Sequence, residues 1–111
     1  MMEAMMTEIL FSELTNDGKV RNLVGHERGE DAREKWMLDH LDGDDETVDV
    51  VIPGELLTLS SSFFQGMFAQ SVKKLGKEGF LAHYRFQASS IVMQQVAEGI
   101  RDSLMKRSAL G

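Results

Sequence analysis

The 111-residue sequence predicts a single α/β domain, a small mixed sheet of about four strands carrying three helices in the order β-β-α-β-α-β-α. Three observations lead there. Short β-branched or apolar runs alternate with longer runs whose apolar residues recur every three or four positions. Clusters of Gly, Pro and Asp separate these runs, and no repeat or low-complexity tract interrupts them. A chain of this length holds one two-layer core, so residues 1–111 form one domain with its core over 7–105, and the first six residues, MMEAMM, are expected to fray.

The elements follow in order. TEILFSEL (7–14) reads as a strand with Ile9 and Phe11 on one face, and KVRNLV (19–24) as a second. Between them Thr15-Asn16-Asp17-Gly18 carries an Asp-Gly step that supplies the positive φ angles of a tight turn, which predicts an opening hairpin. After Gly25 and Gly29 an acidic amphipathic helix runs from Glu27 or Glu30 to Leu41. Met37, Leu38 and Leu41, with Ala32 or Trp36, form its buried side, and Asp31 and Lys35 form an i,i+4 pair on its exposed side. Trp36 is partly buried if this helix covers the sheet and joins an exposed patch if it does not.

Asp42-Gly43-Asp44-Asp45 reads as a solvated acidic loop, and Thr47–Ile52 as a strand closed by Pro53-Gly54. From Ser62 to Leu75 the residues Phe63, Phe64, Met67, Phe68, Val72 and Leu75 form one helical face, with Gln65, Gln70, Lys73 and Lys74 toward solvent. Phe80–Gln87 alternates Tyr84 and Phe86 against His83 and Arg85, as a strand does. The last helix starts at Ser89 or Ser90 and places Val92, Val96, Ile100 and Leu104 at i,i+4 spacing. Arg101, Lys106 and Arg107 complement the negative pole of its dipole.

Composition narrows the function classes. Hydrophobic residues at 42% and charged residues at 27% are globular values. There is no cysteine, hence no disulfide, thiolate metal site or thiol nucleophile, which agrees with a reducing cytoplasm. No apolar run reaches the roughly 20 residues that span a bilayer, and the N-terminus lacks the pattern of a signal peptide. The expectation is a cytoplasmic protein without membrane contact. The net charge of −6 is local: residues 26–46 hold nine acids against three bases, and the remainder nine against nine. A field of that sign repels nucleic acid, and Lys73, Lys74 and Lys77 are too few for a binding stripe.

No catalytic set emerges. The histidines, His26, His40 and His83, have no G-x-S-x-G elbow to serve, and neither a P-loop nor a G-x-G-x-x-G phosphate loop occurs. His26 and Glu30 at i,i+4 supply two metal ligands where zinc needs more. Asp42, Asp44, Asp45 and Glu46 lack the spacing of a calcium loop. The expectation is a non-enzyme with no metal and no cofactor.

The segment that carries most meaning is TVDVVIPGELLTLSSSFFQGMFAQS (47–71), a strand leading through Ser60, Ser61 and Ser62 into an apolar helix. Hydroxyls at a helix N-terminus cap it, contact a partner, or accept a phosphoryl group. Ser62-Phe63-Phe64-Gln65 matches the capping box, in which Ser62 and Gln65 satisfy each other's free N–H groups. With the strand YRFQ and the final amphipathic helix, this arrangement resembles the STAS-like domain family of uncharacterised bacterial proteins, related to anti-sigma-factor antagonists, over about residues 20–105. The resemblance implies a regulatory module that binds another protein, such as a histidine-kinase-like ATPase or an anti-sigma factor. It also implies a phosphorylatable serine at Ser60 or Ser61, with Ser62 in the place of a glycine and Leu59 in the place of an acidic residue. The expected contact surface is Ser60, Ser61, Ser62, Phe64 and Gln65. Two rivals stand beside it. One is a small enzyme or ligand-binding protein using Ser61, His83 and His26 at the C-terminal ends of the strands. The other is a homodimer or larger homo-oligomer paired through a sheet edge.

Overall fold

The computed structural model describes residues 7–16 and 18–106. They form an α/β domain with four helices and five strands in two parallel sheets. The strands are β1 (Thr7–Leu10), β2 (Asn22–Leu23), β3 (Val48–Val51), β4 (Thr58–Leu59) and β5 (Tyr84–Gln87). The helices are α1 (His26–Lys35), α2 (Leu38–Leu41), α3 (Ser61–His83) and α4 (Ser90–Lys106), with a 3-10 turn at Phe11–Glu13. The larger sheet runs β1-β3-β5, and the smaller pairs β2 with β4.

The order β1-β3-β5 advances in one direction, so right-handed crossovers place the helices of both connections on one face of the sheet. Ile9, Val48, Val50 and Tyr84 point to that face and are buried, while Glu8 and Arg85 on the opposite face are exposed. α3 lies over the sheet, and its Phe68 packs edge-on against Tyr84 and Phe86 with ring centroids 5.7 and 5.5 Å apart. The spacing read from the sequence holds here: Phe63, Phe64, Met67, Phe68 and Val72 are all buried, as are Val92, Val96 and Ile100 of α4. No described helix is long and apolar enough to cross a membrane.

Two glycines let α1 lie directly on α3. A Cβ at Gly29 would collide with the backbone oxygen of Phe63, and one at Gly66 with that of His26. The helices therefore touch backbone to backbone, closer than any side chain allows. A third glycine, Gly99 of α4, takes the ring of Phe64.

Several expectations are corrected. The opening hairpin does not form, and neither does the mixed sheet of four strands with three helices. Asn16 and Gly18 do take positive φ angles of 52° and 90°, but β1 is bonded parallel to β3 with Ile9 opposite Val50. The chain leaves β1 through the 3-10 turn, which buries Phe11 against Phe63 and Trp36. β2 then pairs parallel with β4 instead of returning along β1. Asp17 lies outside the described residues, as does the expected fraying of residues 1–6.

The acidic helix is broken as well, because Met37 adopts the left-handed conformation (φ 54°) and separates α1 from α2. Met37 is 65% exposed, while Ala32, Leu38 and Leu41 are buried and Trp36 is half-buried in a stack on Phe11. Lys35 pairs with Glu13 at 3.2 Å rather than with Asp31. Finally, Phe80–His83 is helical, and the strand begins only at Tyr84. α3 passes through Gly76 at φ 78° and ψ 165°, a kink that swings its last part so that Phe80 enters the aromatic core.

Candidate functional site

β4 and α3 position the serine turn. Leu59 pairs in register with Leu23, and its N–H donates to Gln95 Oε1 of α4 at 2.6 Å, which ties the end of β4 to both neighbours. The chain is extended at Ser60 (φ −69°, ψ 156°) and helical from Ser61, so Ser60 is the N-cap. Its Oγ accepts from Phe63 N at 3.0 Å and its carbonyl from Phe64 N at 2.9 Å. The expected Ser62–Gln65 capping box is absent, since a helix that starts at Ser61 puts Phe63, not Gln65, in the third position.

Each remaining residue of the turn has a distinct role. Ser61 Oγ donates to Asp102 Oδ2 of α4 at 2.8 Å and accepts from Gln65 Nε2 at 2.8 Å. Ser62 Oγ accepts from Gly25 N at 3.2 Å and lies 3.0 Å from Ser60 Oγ. Ser62 is exposed, Ser60, Ser61 and Gln65 are half-buried, and Phe64 is fully buried against Gly99. Of the five predicted site residues, then, Ser62 presents the most surface. Exposed apolar residues lie in the segments that meet the turn: Val24 (48% exposed) precedes Gly25, and Leu57 (54%) precedes β4.

Neither His83 nor His26 hydrogen-bonds to a serine of the turn, although His26 follows Gly25, whose N–H Ser62 accepts. His83 Nε2 lies 2.7 Å from the Leu41 carbonyl with its ring edge-on to Tyr84, and His26 Nδ1 is 3.4 Å from Glu30 on an exposed helix face. The hydrogen bonds of Ser61 run to Asp102 and Gln65 and include no imidazole. Among the described residues no group of three or more His, Asp or Glu is arranged to hold a metal ion.

A second polar centre was not legible in the sequence. The sequence places Asp42 in a solvated loop, yet its side chain is completely buried. Its Oδ1 accepts from Ser71 Oγ and Tyr84 Oη, each at 2.6 Å, and its Oδ2 faces Arg33 Nη2 at 2.8 Å and Lys74 Nζ at 3.2 Å. Arg33 is equally enclosed. Its Nη1 donates to the Met67 carbonyl (2.8 Å) and Ser71 Oγ (2.9 Å), and its Nε and Nη2 donate to Asp39 Oδ1 (3.1 and 2.6 Å). One cluster thus joins α1, α2, α3 and the first residue of β5.

Burial alone would lift the Asp42 carboxyl, but the hydrogen bonds from Ser71, Tyr84, Arg33 and Lys74 outweigh it and hold its pKa below the ordinary 3.8. The Tyr84 phenol moves the opposite way. Burial and the adjacent Asp42 carboxylate push it far above its ordinary value of 10.0. Ser71 and Tyr84 lie 29 and 42 residues from Asp42 and Arg33 lies nine away across the break between α1 and α2, so no local spacing announces the cluster. Asp44, Asp45 and Glu46 are exposed, as the sequence implied.

No protein-family model matches the chain, and no curated protein or solved structure matches it.

Proposed function

We propose that this chain is a non-enzymatic protein-interaction module of the STAS-like kind, docking a partner protein on the outward side of its serine turn. One observation carries the reading: Ser62 is exposed on a turn whose hydroxyls are all held by intramolecular bonds, and exposed apolar residues lie in the two segments bonded to it, Val24 next to Gly25, whose N–H Ser62 accepts, and Leu57 just before β4. A rigid polar tip with apolar flanks is already organised for docking, so little conformational entropy is lost on contact. The hydroxyl of Ser61 supports a binding role over a hydrolytic one, because it is engaged with Asp102 and Gln65 and hydrogen-bonds to no imidazole.

In the phospho-regulated version the partner is a histidine-kinase-like ATPase or an anti-sigma factor. Ser62 is then the better acceptor. A phosphoryl group on Ser61 would bring about −1.5 to −2 charges against the Asp102 carboxylate, which lies 2.8 Å from Ser61 Oγ. Self-association through a sheet edge remains a second reading, because β1 and β5 form the two edges of the larger sheet.

The test is affinity capture from a bacterial lysate with the wild type and with Ser62→Ala, Ser62→Asp and the pair Val24→Asp/Leu57→Asp, each checked for folding by circular dichroism. The reading expects specific proteins to be lost with the double variant and altered with Ser62→Asp. Equal recovery by all four proteins, with no phosphopeptide from residues 56–73, rejects it.

A further inference from the structure

The Asp42 cluster has an unusual opening. Three of the four groups around Arg33 are interior, but the fourth, Asp39, is 77% exposed, whereas the Arg33 side chain is only 7% exposed. Asp39 occupies the Nε–Nη2 edge of the guanidinium, the edge that takes a carboxylate through two parallel hydrogen bonds. It does so with one oxygen, Oδ1, which receives both donors. Met67, Ser71 and Asp42 hold the other donors, so the edge keeps its direction when Asp39 swings away.

Charge and shape point to what would replace it. Arg33 and Lys74 against Asp42 leave one positive charge, which Asp39 neutralises. Beside that edge lies a cavity of about 550 Å³, bounded by Arg33 and Asp39, by the exposed side chain of Met37 above the buried Leu38, by His40 and Gln70, and by Glu30 and Glu34. That volume is in the range of small-molecule sites. Glu30 and Glu34 stand one helical turn apart on either side of Arg33 in α1, and Glu34 makes no ion pair among the described residues. A simple anion would be repelled by these two carboxylates, and a simple cation would leave the Arg33 edge unused.

We propose that this cavity binds an apolar α-amino acid as its zwitterion, the carboxylate displacing Asp39 from Arg33, the ammonium facing Glu30 and Glu34, and the side chain lying on the exposed Met37. Asp39 is then a built-in stand-in for the ligand carboxylate, and the site is independent of the serine turn.

The test is isothermal titration calorimetry of the full chain with L-leucine, with isopentylamine, which lacks the carboxylate, and with 4-methylpentanoate, which lacks the ammonium. Wild-type protein is expected to bind L-leucine saturably and each half-ligand at least about tenfold more weakly, as the loss of a charge-assisted contact requires. Asp39→Ala removes the competitor and is expected to tighten L-leucine binding by up to about fivefold, the range of an exposed ion pair. Glu34→Gln is expected to weaken it. Both positions are exposed, and circular dichroism verifies that the variants fold. Absence of saturable binding by both wild type and Asp39→Ala overturns the proposal. So does equal binding of the half-ligands, or L-leucine binding that neither substitution changes.

Discussion

Replacing Asp42 with asparagine keeps the shape of the side chain and removes its charge. Oδ1 can still accept from Ser71 and Tyr84, but the new amide turns two N–H donors toward Arg33 Nη2 and Lys74 Nζ, where an acceptor stood at 2.8 and 3.2 Å. Breaking a buried ion pair from one side costs about 3–5 kcal/mol, because the remaining charge stays buried without its partner. Lys74 adds little, since its side chain is half exposed and such pairs contribute under about 1 kcal/mol. Against a total stability of roughly 5–15 kcal/mol the loss is large. With a urea dependence of about 1–3 kcal/mol per molar, the unfolding midpoint should fall by roughly 2 M. Trp36, the only tryptophan, half-buried on Phe11, provides the fluorescence readout. Asp39→Asn is the control, expected to shift the midpoint by well under about 1 M because its carboxylate is exposed. The pH dependence follows from the sign of the shift. Asp42 has a depressed pKa in the folded protein, so its contribution is complete above the unfolded value near 3.8 and is lost as pH falls through the folded value. The asparagine variant should lack that part of the acid transition. A midpoint shift below about 0.5 M for Asp42→Asn would refute the claim that this cluster clamps the helices to the sheet.

Other outcomes are expected from the same geometry. Tyr84 is the only tyrosine, so phenolate absorbance reports it alone. Its raised pKa means that its stabilising contribution is complete below about pH 10 and declines as pH rises beyond that value. In a titration the native protein should ionise this phenol at higher pH than the urea-unfolded chain, and coincident curves would contradict its burial beside Asp42. Gly66→Ala inserts a methyl into the His26 carbonyl and should destabilise by about 1–3 kcal/mol or more, visible as a lowered thermal midpoint, whereas Gly43→Ala meets only the His40 carbonyl at an ordinary 3.8 Å and should cost less. At the serine turn Ser60→Ala should cost about 0.5–2 kcal/mol through loss of the cap. Ser62→Ala, at an exposed position, should cost less, and the reverse order in chemical denaturation would restore Ser62 as the cap.

Periodicity made the inner residues legible. The three- and four-residue spacing over Phe63–Val72 and Val92–Ile100 marks the faces that the structure buries. Alternation at Val48, Val50, Tyr84 and Phe86 marks the sheet face against α3, because a buried side of a regular element must repeat with the period of that element. Pairing was not legible in the same way. The turn residues Asn16 and Gly18 supply their positive φ angles, yet whether the following strand returns along β1 or crosses to β4 depends on which edge offers better packing. That comparison involves residues about 40 positions apart. The site divides along the same line. The sequence located the serines at a helix start, while the cap lies two residues earlier than the capping box implies, at Ser60, and Ser61 is tied to Asp102.

Local chemistry therefore determined the α/β class, the apolar faces, the acidic segment and the helix-start serines, since each depends on residues within a turn or two of one another. Tertiary structure alone decided that Asp42 leaves the acidic run to become the buried centre of a cluster with Arg33, Ser71 and Tyr84. Nothing near it in the chain distinguishes it from Asp44 or Asp45. What differs is that the end of α2 brings this carboxylate beneath α3 and beside β5, where four donors compensate the loss of water, whereas Asp44 and Asp45 stay exposed.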